Sequence, residues 1–127
     1  VIDVGLVPIA IRQEWPYLAS DRLVITGPQW RHVLTVHSEM KNLARVVLLA
    51  MVDPDEIHRD KISDSSAILW RRLDAKGNYW VRVSVSLATA DKGLDRANSL
   101  ITAWRIRKRG YESDVRAGRR IWQKEKS

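Results

Sequence analysis

The segment Tyr79–Leu87 constrains this chain more than any other. Tyr79, Val81, Val83, Val85 and Leu87 alternate without a break against Trp80, Arg82, Ser84 and Ser86. A period of two marks a β-strand with one apolar and one polar side, and the apolar side must be covered by another layer. The residues before it, Asp74-Ala75-Lys76-Gly77-Asn78, read as a hairpin connection with Gly77 in the left-handed position. Ala67–Leu73 is therefore the predicted antiparallel partner. Ser99–Arg107 is predicted as a further strand and Glu56–Asp60 as a shorter one. Ala88–Asn98, with Asp91-Lys92-Gly93, reads as a polar loop.

The covering layer comes earlier in the chain. Trp30, Val33, Leu34 and His37 recur at i, i+3, i+4 and i+7, one face of a helix. Thr26 is its predicted N-cap and Pro28 falls in its first turn. A second helix is predicted over Asn42–Met51, stopped by Asp53-Pro54. Upstream, Val4–Ile9 reads as a short strand or extended lead-in, Ile11–Tyr17 as a helical turn limited by Pro16, and Leu23-Val24-Ile25 as a short strand. Helices followed by a strand meander predict an α+β domain, with the N-terminal helices on one face of a four- to five-stranded antiparallel sheet. The 127 residues fit one domain, with 1–22 as a lead-in and 110–127 as a basic tail.

Two classes of chemistry are excluded early. No cysteine is present, so disulfides, zinc–thiolate sites and thiol nucleophiles are ruled out, and the composition suits a reducing compartment. The longest apolar run, Val46–Val52, falls far short of the roughly 18 residues of a membrane span. Val1–Ala10 lacks both Met and a charged leading region. It reads as the cut or processed end of a longer chain and not as a signal peptide.

The net charge of +7 and a pI near 10.1 point to polyanions as partners. From Arg105 onward stand nine bases (Arg105, Arg107, Lys108, Arg109, Arg116, Arg119, Arg120, Lys124, Lys126) and three acids (Glu112, Asp114, Glu125), so 9 − 3 = +6. That stretch is either a solvated tail or an RNA-binding one. Trp104, Tyr111 and Trp122 among the bases favour stacking on single-stranded RNA. The polar side of Tyr79–Leu87 likewise reads either as plain solvent exposure or as a nucleotide platform carrying Trp80 and Arg82. On Ser99–Arg107, Thr102 and Trp104 share one side, with Ile101, Ala103, Arg105 and Arg107 on the other.

His32 and His37 lie about 140° apart round a helix and make a poor metal pair. His37 is either a core histidine held by a backbone carbonyl or a general acid or base. His32 faces outward, and His58, in a charged strand, suggests no role. A histidine, arginines and a hydroxyl suffice for RNA cleavage by 2′-OH attack. Two-metal nucleases need a denser carboxylate set than Asp53, Asp55 and Glu56, so no metal or other cofactor is expected.

The order of motifs His32-Val33…Val36-His37-Ser38-Glu39, Asp53-Pro54-Asp55-Glu56-Ile57…Arg59-Asp60, Leu69-Trp70-Arg71-Arg72-Leu73, Trp80-Val81-Arg82-Val83 and Ile101-Thr102-Ala103-Trp104 resembles the phage-associated branch of the barnase/EndoU/colicin/RelE-like nucleases. The resemblance runs from Leu23 to Arg109. It implies a metal-independent endoribonuclease toxin domain acting on RNA, tRNA among the candidates, in the cytoplasm, alone or delivered within a larger protein. An acidic immunity or antitoxin protein is the implied partner. Carried over position by position, His37, Arg71, Arg72 and Thr102 are the implied catalytic residues. The nucleic-acid-binding set is His32, Trp80, Arg82, Trp104, Arg105, Arg107 and Lys108. Ser38 stands where the family commonly has Pro, and Trp104 where it often has Tyr, which removes a phenol as proton donor. A non-catalytic nucleic-acid-binding module and an interaction domain of a phage or secretion structural protein are the alternatives.

Overall fold

A computed structural model describes residues 1–89 and 97–125, which leaves Asp91-Lys92-Gly93 of the expected loop and Lys126 of the tail outside the described residues. The hairpin forms as the residues dictate. Strands β4 (Ser66–Arg72) and β5 (Tyr79–Ser86) pair antiparallel in full register, Arg72 opposite Trp80 and Ser66 opposite Ser86. Gly77 sits at φ +70°, where a Cβ is disfavoured, and the Asp74 carboxylate accepts from the Asn78 amide at 2.8 Å. Val81, Val83 and Val85 are fully buried. Each contributes about 1.5–3 kcal/mol of hydrophobic stabilisation.

Their cover comes from three helices. These are α1 (Ile9–Glu14), α2 (Gly27–Val36) and α3 (Ala44–Val52), with a 3₁₀ segment, Ser38–Leu43, between the last two. Thr26 caps α2, its hydroxyl accepting from the Gln29 amide at 3.3 Å. Pro54 stops α3 by removing a donor and forcing Asp53 out of the helical region. Ile11, Val33, Met40, Val47, Ala50 and Met51 form one continuous core with Leu69, Val81, Val83, Val85 and Leu100. No helix among the described residues is long and apolar enough to cross a membrane.

The class is α+β, but the expected four- to five-stranded antiparallel sheet is corrected by a seven-stranded mixed one, ordered β1-β2-β6-β5-β4-β3-β7. β1 (Ile2–Leu6), β2 (Arg22–Ile25), β3 (Glu56–Arg59), β6 (Asn98–Arg107) and β7 (Arg120–Gln123) complete it. The extra strands are short edge strands drawn from the segments expected to be a lead-in and a tail. β2 runs parallel to β6, Leu23 opposite Asn98, and every other pair is antiparallel. The Asn98 side chain fixes that junction. Its Nδ2 donates to the Ser20 and Arg22 carbonyls at 2.8 Å, and its Oδ1 accepts from the Ala88 amide at 2.8 Å. The basic tail is also structured: α4 (Lys108–Arg116) follows β6 directly, and β7 joins the far edge beside β3.

β6 carries a bulge that the alternation hides. Ser84 pairs with Thr102 but Val85 pairs with Leu100, so Ile101 is the extra residue. Leu100 and Ala103 both reach the helix-covered core, and the Ile101 carbonyl accepts from Gln29 Nε2 of α2 at 2.7 Å. Thus Ile101 does not simply share a side with Ala103.

Candidate functional site

The site is built by strand register on the face turned away from α1–α3. Pairing sets Trp104 of β6 opposite Arg82 of β5, Arg82 opposite Trp70 of β4, and Trp70 opposite Glu56 of β3. One step along the strands, Thr102, Ser84, Ile68, His58 and Arg120 form a second row. A step the other way come Ile106, Trp80 and Arg72. At about 4.8 Å per strand, the row from Trp104 to Glu56 spans roughly 14 Å. Helix α4 lies across this face and points Tyr111 and Asp114, at i and i+3, down onto it.

One half of the face is closed. Glu56 is buried, its side chain only 4 % exposed, and His58 beside it is fully buried. Glu56 Oε1 lies 3.0 Å from His58 Nε2 and accepts from Arg120 Nε at 2.8 Å, while Oε2 accepts from the Tyr111 hydroxyl. An ionised carboxylate only accepts, so His58 carries its proton on Nε2. His58 Nδ1 and Trp70 Nε1 are buried without a hydrogen-bond partner among the described residues. Arg120 Nη2 also donates to the Tyr111 oxygen at 3.2 Å. Burial is the largest influence on Glu56 and pushes its carboxyl upward, but the hydrogen bonds from His58, Tyr111 and Arg120 and the Arg120 charge outweigh it. Glu56 therefore sits below the usual glutamate range. Burial, then the bond to Glu56 and its charge, push the Tyr111 phenol up to about 12. The Tyr111 ring stacks on Trp80 at 3.9 Å and 7° and meets Trp70 edge-on at 5.4 Å.

The other half is the more open one, with the side chains of Arg82 and His37 still 19 % and 28 % exposed. His37 ends α2 and is half-buried, its ring 5.3 Å from that of Trp104. The Arg82 guanidinium lies 4.5 Å from the Trp104 ring centre and 5.9 Å from that of Trp70. Asp114 stands 4.0 Å from Arg82 and 3.2 Å from Arg119. Burial pulls Arg82 down while Asp114 pulls it up, and a guanidinium stays charged throughout. Beyond α4, a groove of about 790 Å³ opens between the Asp74–Asn78 turn and the C-terminal tail, with Glu56, Trp80 and Tyr111 in its wall and Arg72, Lys76, Lys108 and Lys124 around it.

The sequence-predicted residues divide accordingly. His37, Thr102, Trp104 and Arg82 share the open half. Trp80 lies on the same face but under Tyr111, and Arg72 and Lys108 line the groove. Arg71 belongs to the opposite side and is held by the carbonyl and carboxylate of Asp53. His32 is exposed on α2. Arg105 lies over Tyr79, away from the site, and Arg107 is exposed at the start of α4. Sequence reasoning gave Glu56, His58 and Asp114 no part in a site, and took Tyr111, Arg119 and Arg120 only as members of an RNA-binding tail. The available signal was the i, i+2 spacing of Glu56 and His58 in a strand, which puts both on one side. Among the described residues no group of three or more His, Asp or Glu side chains is arranged to hold a metal ion. No family model, curated protein or solved structure matches the chain.

Proposed function

We propose that the open half of this face binds single-stranded RNA and cleaves it by 2′-OH attack. The observation that carries the reading is the contiguous set His37, Trp104 and Arg82: a proton carrier at the end of α2, next to a stacking ring and a fixed cation on the polar sheet face. Trp104 receives a base. Arg82, with Arg119 beside the same Asp114, draws in the adjacent phosphate. His37 takes the 2′-OH proton as the 2′-oxygen bonds to phosphorus. The bond from phosphorus to the 5′-oxygen breaks, solvent protonates that oxygen, and Arg82 stabilises the charge that builds on the phosphorane. The products are a 2′,3′-cyclic phosphate and a 5′-hydroxyl, and His37 then returns its proton to solvent, so there is no net proton change. Thr102, two residues from Trp104 on the same side, supplies a hydroxyl for the substrate. Arg71 has no part in this reading, since it is committed to Asp53.

The test is incubation of the protein with tRNA and with total RNA in EDTA, with mapping of the product ends. Cyclic phosphate ends are expected. His37→Ala should slow cleavage by about 10²–10⁴-fold while binding is largely kept. An intact protein that leaves RNA uncut, or a His37→Ala variant as active as the parent, overturns the reading. Salt-sensitive RNA binding without any cleavage would favour a binding module on the same face.

A further inference from the structure

Helix α4 meets the sheet face in an unusual way. None of its residues is fully buried. Besides the Tyr111 hydroxyl on Glu56 and the edge contact of its ring with Trp70, its inward contacts are that ring laid parallel on Trp80 at 3.9 Å and one carboxylate set between Arg82 and Arg119 at 4.0 and 3.2 Å, so lifting the helix also gives up the bond to Glu56. A ring on a tryptophan and an anion on an arginine pair are the two contacts that a nucleotide makes with a protein surface, through its base and its phosphate. The two sheet residues concerned, Trp80 and Arg82, are successive members of the polar side of β5. The strip they form adjoins Trp104, so it lies where the next nucleotide of a strand stacked on Trp104 would run.

From this we propose that Trp80 and the Arg82–Arg119 pair form a second nucleotide subsite, and that α4 occupies it in the free chain by presenting Tyr111 as a base and Asp114 as a phosphate. The idea rests on the RNA-binding reading above and adds to it a site and its regulation. RNA competes with the helix for the strip, so binding lifts α4 and frees Arg82. The start of α4 has no side-chain cap and is held by the Lys108 amide donating to the Asn78 carbonyl at 2.9 Å, while behind its end Gly118, at φ +74°, has open space around it among the described residues, which makes that end the hinge. Gly110 holds the first turn close to the sheet, since a Cβ there would collide with Ile106.

The experiment compares Asp114→Asn with Glu112→Gln, a change of equal charge on the same helix at a residue with no partner on the strip, by fluorescence anisotropy with a labelled single-stranded oligoribonucleotide. Asp114→Asn should tighten binding at least 3-fold more than Glu112→Gln. Gly110→Ala, which pries the first turn away, should move affinity in the same direction. Hydrogen exchange of the Lys108–Arg116 amides should quicken when the unmodified protein is saturated with RNA. Equal affinity gains from Asp114→Asn and Glu112→Gln would mean that only net charge matters, and would overturn the subsite. So would α4 amides that stay as protected with RNA bound as without it. If the parent protein and every variant fail to bind RNA, the RNA reading itself falls, and the subsite with it.

Discussion

Glu56→Ala removes the acceptor on which three side chains of the closed half converge. His58 Nε2 at 3.0 Å, Arg120 Nε at 2.8 Å and the Tyr111 hydroxyl all lose their partner together. Breaking a buried charge pair from one side costs about 3–5 kcal/mol. Arg120 is 32 % exposed and regains water, which places the cost near the lower bound, about 3 kcal/mol. For a chain of this length that is a fall in Tm of about 12 °C. Urea unfolding at neutral pH, followed by tryptophan fluorescence, measures it directly. Glu56→Gln keeps the shape but not the charge and should cost about 1–2 kcal/mol. The gap between parent and Glu56→Gln carries a pH signature. The folded Glu56 carboxyl lies below its ordinary value near 4.5. Its contribution is therefore complete above that value and is lost as pH falls through the folded pKa. The gap should be constant from pH 7 to about 5.5 and close below 4.5. A cost for Glu56→Ala under about 1 kcal/mol, or a gap that widens on acidification, would refute the reasoning.

Three further outcomes separate the two faces. Arg82→Ala should weaken RNA binding and lower the salt slope by about 0.7, the loss of one phosphate contact, whereas Arg71→Ala should leave binding unchanged and cost under about 1 kcal/mol in urea unfolding. Trp104→Ala should cost about 1–3 kcal/mol of RNA affinity by anisotropy if a base stacks there, and nothing if Trp104 only packs against His37. Gly77→Ala should destabilise by about 1–2 kcal/mol in thermal unfolding, since alanine is strained at φ +70°.

What was legible in the sequence followed local rules. The alternation of Tyr79–Leu87, the glycine turn before it, the Thr26 cap and the Pro54 stop each appear in the structure in their expected local roles. What was illegible depended on distant partners. The bulge at Ile101 is invisible because Ser99–Arg107 reads as an unbroken strand, and only pairing with Ser84 and Val85 exposes the extra residue. α4 buries no residue completely and has only Tyr111 and Val115 as large apolar residues among its charges, so from sequence it reads as a charged tail. Missing α4 also hid the closed half of the site. Glu56 and His58 look like solvent-facing residues of a charged strand until Tyr111 and Arg120 are laid over them. β1 and β7 are short edge strands that a period-two search cannot separate from loops. Thr102 and Trp104 were legible as a pair because two-residue spacing survives on their side of the bulge.

The junction at Asn98 sets an order of events during synthesis. Its amide grips carbonyls of Ser20 and Arg22, 78 and 76 positions earlier, and the parallel partner of β2 does not exist until β6 has been made. At about 5–20 residues per second, the first two strands wait several seconds beside the ribosome with one edge unsatisfied. Contacts so distant along the chain make for slow folding and leave that edge open to mispairing in the interval. The N-terminal ribbon thus cannot be seated in the sheet until β6 exists, although it is the first part of the sheet to be translated.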